Sequence, residues 1–364
     1  MSSDKGWLII GVWVDDLLCV HTDRELYDKF YRAYSKNDGS GRLMTKDLGP
    51  VKRYTGIDIT RDRPAGTITL SQESYIERVV AKYLPGPTRL RASPVELSAD
   101  GAAKFLALKG AETEAEHAAM ADKDYLGLVG CLAYLANTSR PDIVFHTSYL
   151  GQYMSKPSVA CYNAALDVLS YCHKTKKAAI TYGGRLRLST EPTEPPLGHE
   201  VLESNGLVAY SDASYGSVKS HGGHMIMYGN AAVAWTSRRL KVIALSSAEA
   251  EICAGVGASK DIIFLRQLLR EIGLPCKGPT PLVIDNEAMY ENVRNPGVSG
   301  RTRHFELWLQ FCRAQVQRGN VKVHLTPSES EYADLFTKPL PKEDVKARTT
   351  NLYKMFRDFT MNIV

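Results

Sequence analysis

Beyond residue 204, three short apolar strands lead into one long helix and then into further strand and helix segments. No other feature of the chain narrows its fold as much. The apolar runs predict strands over Leu207–Ser211, Gly223–Tyr228 and Val233–Thr236, then a helix from about Ser247 to Ile272. A strand "PLVIDN" and a helix follow, then the helix "FELWLQFCRAQVQRG", the strand "VKVHLT" and a last helix "YADLFTK". A three-stranded meander joined to βα units closes into a mixed sheet with helices on its faces, an α/β arrangement.

Four acids fall at the ends of these elements. Asp212 ends the first strand in "AYSDASY", and Glu251 lies in the first turns of the long helix in "SSAEAEICAG". Asp285 sits at the carboxyl end of "PLVID", and Asp334 opens the last helix in "EYADLFTK". In open α/β sheets, ligands bind beyond the carboxyl ends of strands, and helix N-termini offer backbone donors to anions. Singly, such acids are ordinary turn formers or N-caps; the order Asp, Glu, Asp, Asp on strand, helix, strand and helix is far more specific. Four converging carboxylates repel unless a cation lies among them. An all-oxygen set selects Mg2+ or Mn2+ over zinc. Two such ions about 4 Å apart serve in-line attack on a phosphodiester.

The upstream part is organised differently. "VWVDDLLCV", Val12–Val20, sets Asp15 and Asp16 inside an apolar run. Unpaired burial of carboxylates is costly, so a hairpin with both acids at its turn is expected. "DRELYDKFYRAYSKN" has a helical mixture of apolar and charged positions, and Pro64-Ala65-Gly66 marks a second hairpin turn. From Gln72 the spacing is helical through "QESYIERVVAKYL", "YLGLVGCLAYLANTSRPDIVFHTSYLGQYM" and "VACYNAALDVLSYCHKT". Ala92–Glu116 reads as a loop or an irregular helix. Leu188–Ser204, with three prolines, four glutamates and no periodicity, reads as a linker.

Composition excludes more than it assigns. A net charge of +5 leans only weakly towards polyanion partners. The seven cysteines form no C-x-x-C pair, so neither a disulfide framework nor a zinc site is signalled, and a reducing intracellular setting is the default. The N-terminus lacks the pattern of a signal peptide, and the apolar run Trp7–Val20 is too short to span a bilayer. The chain reads as soluble, with no membrane partner.

The block "AYSDASYGS…GGHMIMYGNAAVAWTSRRLKVIALSSAEAEICA…VIDNEAMYENVRNP…RTRHFELW…ADLFTKPLP" is similar to the ribonuclease H domain of copia-type LTR retrotransposon Pol polyproteins. Upstream, "VWVDDLLCV", "MTKDLGPVKRYTGIDI", "LSQESYIERVV", "YLGLVGCLAYLANTSRPDI" and "YMSKP" resemble the reverse transcriptase of the same family, in the same order. The resemblance implies a C-terminal part of a polymerase palm (1–72), a helical thumb or connection (73–187), the linker (188–204), a ribonuclease H-like domain with a mixed five-stranded sheet (205–341) and a tail (342–364). It also implies a metal-dependent endonuclease acting on the RNA strand of RNA–DNA hybrids, with two Mg2+ ions (or Mn2+) held by Asp212, Glu251, Asp285 and Asp334. Glu251 is preferred over Glu249 because the family places Ala three residues after the ligand, as Ala254 is here; on a helix the two glutamates diverge by about 200°, leaving Glu249 solvated or capping.

In the family, "VDD" is the polymerase hairpin, whose first aspartate binds metal together with an aspartate from an earlier strand. Asp15 is accordingly a vestigial ligand and Asp16 an auxiliary. With fingers and first palm segment absent, polymerisation by this chain alone is not expected, and those upstream Pol segments would be its partners. The resemblance implies a cytoplasmic, virus-like-particle location with access to the nucleus. Nucleic-acid contacts are expected from Ser214, Ser246 and Asn286 beside the acids, and from Arg301, Arg303 and His304 in "GRTRHFELW". Arg238, Arg239, Lys241 and the basic run Lys174–Arg187 with Tyr182 are weaker candidates that read equally as solvated faces. His324 is expected to be structural, and the apolar Leu307 and Trp308 point to a tighter core or a protein contact. Two rival readings are a non-catalytic, domesticated or decayed fragment binding nucleic acid or protein, and an excerpt of a full polyprotein with polymerase activity.

Overall fold

The computed structural model describes residues 2–3, 6–35, 45–86, 90–95, 100–183, 203–216, 220–229, 231–295, 305–328 and 332–339. The chain divides into two compact units, Met1–Thr60 and Arg61–Val364.

In the first unit, β1 (Ser2–Ser3), β2 (Gly6–Trp13) and β3 (Asp16–His21) form an antiparallel sheet. Trp13 pairs with Asp16, so Val14 and Asp15 are the two-residue turn, and Asp16, expected in the turn with Asp15, instead opens β3. Val14 takes φ 51, the left-handed region that such turns need and that a β-branched residue resists. Both aspartates are exposed, so the cost of burial does not arise. Helix α1 (Arg24–Tyr34) begins at Asp23, whose carboxylate accepts the Glu25 amide. The Tyr27 ring stacks on His21 at 5.1 Å and its hydroxyl donates to Asp47. β4 (Arg53–Tyr54) and β5 (Ile57–Asp62) pair as a hairpin.

The second unit opens with β6 (Thr67–Ser71), which pairs antiparallel with β7 (Ile180–Gly183). Between them run α2 (Glu73–Tyr83), α3 (Gly101–Leu106), α4 (Glu114–Ala118), α5 (Tyr125–Thr138), α6 (Val144–Gly151) and α7 (Val159–Lys174). The segment read as a loop or irregular helix holds the short α3 and α4. Burial follows helical spacing: Ile76, Val79 and Tyr83 on α2, and Tyr125, Leu128, Val129, Leu132, Leu135 and Ala136 on α5. The "SRPD" corner between α5 and α6 buries Arg140 and Asp142 completely as a bidentate pair, with Tyr171 donating to Asp142 and Arg140 donating to Thr175. Removing a partner from such a satisfied pair strands a charge.

Next come β8 (Leu207–Ser214), β9 (His221–Tyr228), β10 (Ala231–Arg239), α8 (Ser247–Glu271), β11 (Thr280–Ile284), α9 (Glu287–Arg294), α10 (Glu306–Gln317) and β12 (Val321–Leu325). The strands form one sheet in the order β10-β9-β8-β11-β12, antiparallel among the first three and parallel thereafter. This is the mixed five-stranded sheet expected of a ribonuclease H-like domain. Tyr332–Phe336 is a short 3-10 turn rather than the expected helix.

Period-two geometry sends alternate residues to opposite faces. Leu207, Ala209, Ile226, Leu282 and Ile284 pack with α8, α9 and α10. Val208, Met225, Met227 and Val283 belong instead to the core of the α2–α7 region, joined by Leu335 and Phe336. Hydrogen bonds reinforce that second face: Trp235 Nε1 donates to the Ala136 carbonyl at 2.8 Å and Tyr182 to the Ala232 carbonyl at 2.7 Å. The helical region and the sheet therefore share one core.

All seven cysteines are free. Among the described residues no helix is long and apolar enough to cross a membrane. Of the Leu188–Ser204 linker only Glu203 and Ser204 are described, and the tail 342–364 lies outside the described residues.

Candidate active site

Strand register brings two of the acids together. β11 runs parallel to β8 with Leu282 beside Ala209 and Val283 beside Tyr210. Continued by two residues, that register sets Asp285 level with Asp212, on the same face of the sheet.

Glu251 reaches them because α8 lies close to β8. Ala213, Ala244, Ala250 and Ala254 form a cluster of small side chains between helix and strand, and the Ala213 amide donates to the Glu251 carboxyl. This gives Ala254 a packing role. The helix start is fixed by Ser246, which accepts the Glu249 amide at 3.2 Å, while Glu249 accepts the Leu245 amide at 2.7 Å. Glu249 is thus a capping residue, but a buried one rather than a solvated one.

Carboxylate oxygens of Asp212, Glu251 and Asp285 all lie within 4.8 Å of one another. Asp212 and Glu251 are buried and Asp285 is half-buried. Glu251 Oε2 is shielded from solvent and has no hydrogen-bond partner among the described residues. Three converging carboxylates with an orphaned oxygen fit a hard divalent cation, and an all-oxygen donor set among the described residues favours Mg2+ or Mn2+.

Asp334 is buried in the 3-10 turn and stands outside that group of three. The turn can approach β9 because Gly223 has no side chain: a Cβ there would lie 2.8 Å from the Phe336 carbonyl oxygen. Lys338, which is not among the site residues expected from the sequence, donates to Asp334 Oδ1 at 2.6 Å and lies 3.5 Å from Asp212 Oδ2. The Thr337 hydroxyl donates to the same Asp212 oxygen. The i,i+4 spacing of Asp334 and Lys338 was the available signal.

Burial, with Asp334 and Asp285 adding to it against Lys338 and Thr337, pushes the Asp212 carboxyl up to about 6. Burial and the negative charges of Asp212 and Asp285 push Glu251 up to about 9. Burial alone would lower the Lys338 ammonium, but Asp212 and Asp334 outweigh it and raise its pKa.

These shifts fix the sign of a pH effect. Both carboxyls are raised above their unfolded values of 3.8 and 4.5. Their stabilising contribution is complete below those values and is lost as pH rises through about 6 and about 9. Without divalent ions, the melting temperature is therefore expected to fall between pH 5 and pH 8. Mg2+ is expected to restore it, more strongly at pH 8 than at pH 5. Thermal melts in EDTA and in Mg2+ at both values check this; an equal Mg2+ effect at both would contradict it.

The remaining candidates are dispersed. Asn286 caps α9, accepting the Met289 amide at 2.8 Å, so its side-chain oxygen is already engaged. Ser214 is the half-buried last residue of β8. Arg301, Arg303 and His304 lie outside the described residues. Arg239 donates to Gln152, while Arg238 and Lys241 are exposed. Tyr182 is tied into the shared core rather than presented beside the basic run. His324 lies in β12. Leu307 is 85% exposed, so it does not tighten the core, whereas Trp308 packs against it. Asp15 and Asp16 belong to no group of three or more ligating side chains among the described residues.

Residues 2–95 match the family described as Reverse transcriptase (RNA-dependent DNA polymerase). The chain is 28% identical over 344 residues to the Retrovirus-related Pol polyprotein from transposon TNT 1-94 of Nicotiana tabacum, covering 93% of this chain and 24% of that protein. It is 29% identical over 346 residues to the transposon RE2 Pol polyprotein of Arabidopsis thaliana, of which it spans 21%. With the transposon Ty5-1 protein of Saccharomyces cerevisiae it shares 30% identity over 258 residues, 69% of this chain and 72% of that one. The chain thus spans about a quarter or less of the two plant polyproteins. Among solved structures, the LC11 ribonuclease H1 in complex with RNA/DNA hybrid aligns over 36% of this chain and 93% of its own, at 14% identity and a TM-score of 0.29. The foamy viral protease-reverse transcriptase in complex with RNA/DNA hybrid aligns over 88% of this chain and 36% of its own, at 12% identity and a TM-score of 0.40.

Proposed function

The chain belongs to the copia-type family of retrotransposon Pol polyproteins, and on that premise we propose that its second unit is a divalent-metal-dependent endonuclease hydrolysing the RNA strand of RNA–DNA hybrids. The observation that carries this reading is the convergence of Asp212, Glu251 and Asp285 within 4.8 Å, with Glu251 Oε2 lacking a hydrogen-bond partner among the described residues. Asp212, Glu251 and Asp285 would hold Mg2+, with Asp334 beside them as the fourth acid. When bound, the metal supplies Lewis-acid stabilisation of the phosphodiester and a more acidic water.

The protein's own contribution is positional. β8 and β11 fix two carboxylates in register, the alanine cluster sets the approach of α8, and burial strengthens every electrostatic interaction at the site. A hybrid would be recognised by its backbone shape and 2′-hydroxyls, with Ser214, Arg301 and Arg303 as proposed backbone contacts and His304 beside them. The first unit presents Asp15 at an exposed turn with Asp16 next to it, in no larger ligand group among the described residues. In this proposal nucleotide incorporation would require upstream Pol segments acting together with Asp15.

Purified chain incubated with a labelled RNA–DNA hybrid and Mg2+ is expected to cleave the RNA strand, to leave single-stranded RNA intact and to add no nucleotides to a primed RNA template. Absence of hybrid cleavage under both Mg2+ and Mn2+ would overturn the enzyme reading. Hybrid binding without cleavage would favour a non-catalytic nucleic-acid-binding role.

A further inference from the structure

Lys338 makes the acidic cluster asymmetric. Its ammonium sits between Asp334 Oδ1, at 2.6 Å, and Asp212 Oδ2, at 3.5 Å. Asp212 Oδ2 also receives the Thr337 hydroxyl. Asp212, Glu251 and Asp285 converge within 4.8 Å, with Glu251 Oε2 lacking a hydrogen-bond partner, and among the described residues no ion pair to a cation is formed by Glu251 or Asp285. Three of the acids are therefore grouped as a divalent ion requires, while Asp334 and one Asp212 oxygen already have a side-chain ammonium between them.

We propose that Lys338 is a tethered counter-ion that occupies the cation position between Asp212 and Asp334, so that a second divalent ion binds there only by displacing it. This rests on the metal-dependent reading above and sharpens it. The first ion enters a preformed three-carboxylate site, whereas the second competes with a resident ammonium. Lys338 is suited to yield, because its side chain is 41% exposed and a lysine stem is flexible, with a compact charge at its end. A substrate phosphate arriving at the cluster offers that ammonium another anion, which couples filling of the second position to substrate. Lys338 is in this sense a positioning residue.

Calorimetric titration of the full chain with Mn2+, with folding checked by circular dichroism, tests the proposal. Wild type is expected to bind one ion well and a second weakly. Lys338→Met, which keeps the stem and removes the charge, is expected to bind the second ion roughly tenfold or more tightly and to melt lower without metal. Lys338→Arg keeps the charge and is expected to titrate as wild type does. If Lys338→Met titrates like wild type, or if Lys338→Arg gains the same affinity as Lys338→Met, the counter-ion role is overturned. The two readings separate cleanly. Hybrid cleavage by wild type with unchanged Mn2+ binding in Lys338→Met removes only the counter-ion. Tightened Mn2+ binding in Lys338→Met with no cleavage by wild type removes only the nuclease.

Discussion

Asp212→Asn is expected to abolish Mg2+-dependent cleavage of hybrid RNA while raising the melting temperature of the metal-free protein at pH 8. Asp212 has a carboxylate oxygen within 4.8 Å of those of Glu251 and Asp285 and an Oδ2 3.5 Å from the Lys338 ammonium. On the proposed reading, losing a carboxylate that would hold the metal removes several kcal/mol of stabilisation from the reaction, taken as about 4 kcal/mol or roughly 10^3-fold in rate. Stability moves the other way. Burial holds the Asp212 carboxyl up at about 6, so at pH 8 its charge is maintained against the preference of the fold. A neutral amide of the same shape relieves that strain, by an amount on the order of 1–3 kcal/mol. Cleavage assays and thermal melts on one preparation check both halves. Cleavage within about tenfold of wild type would remove Asp212 from the site, and a lower metal-free melting temperature would show that its pairing with Lys338 and Thr337 outweighs the cost of its burial.

Residues 205–341 produced alone are expected to fail as a cooperatively folded domain. One face of the five-stranded sheet belongs to the same core as α2–α7, and separation would expose Val208, Met225, Met227, Val283, Leu335 and Phe336. At about 1.5–3 kcal/mol per side chain, the loss is about 9–18 kcal/mol, comparable with the whole stability of an ordinary domain at about 5–15 kcal/mol. The Trp235 bond to the Ala136 carbonyl would be lost as well. The isolated piece is expected to aggregate or to bind a hydrophobic dye without a sharp melt, while residues 61–341 melt cooperatively. A sharp transition for 205–341 within about 5 °C of the longer piece, equivalent to only a couple of kcal/mol, would show that the shared face contributes little.

Much of this was readable in advance, and the reasons are local. β8 to β12 announce themselves by short apolar runs, and α8 by its length and its Ser246 cap. The hairpin at Val14-Asp15 follows from two carboxylates that would not tolerate burial. What escaped the sequence was contextual. Asn286 and Ser246 have the chemistry to meet a nucleic acid, yet both spend their side-chain acceptors on helix amides. The run Leu207-Val208-Ala209 shows that both faces of β8 are covered, but no local pattern says that α2–α7 cover one of them. Lys338 looked like one basic residue among many.

By itself, the sequence determined most of the elements, though not the 3-10 form of the last turn, and which four acids are available, because helical and strand periodicity, capping and turn chemistry act within a few residues. Only the tertiary structure decided which of those acids meet. That outcome depends on the parallel register of β8 against β11, on how closely an alanine-lined helix approaches its strand, and on the one glycine that admits the last turn. Those packing distances set Asp212, Glu251 and Asp285 together and left Asp334 paired with Lys338.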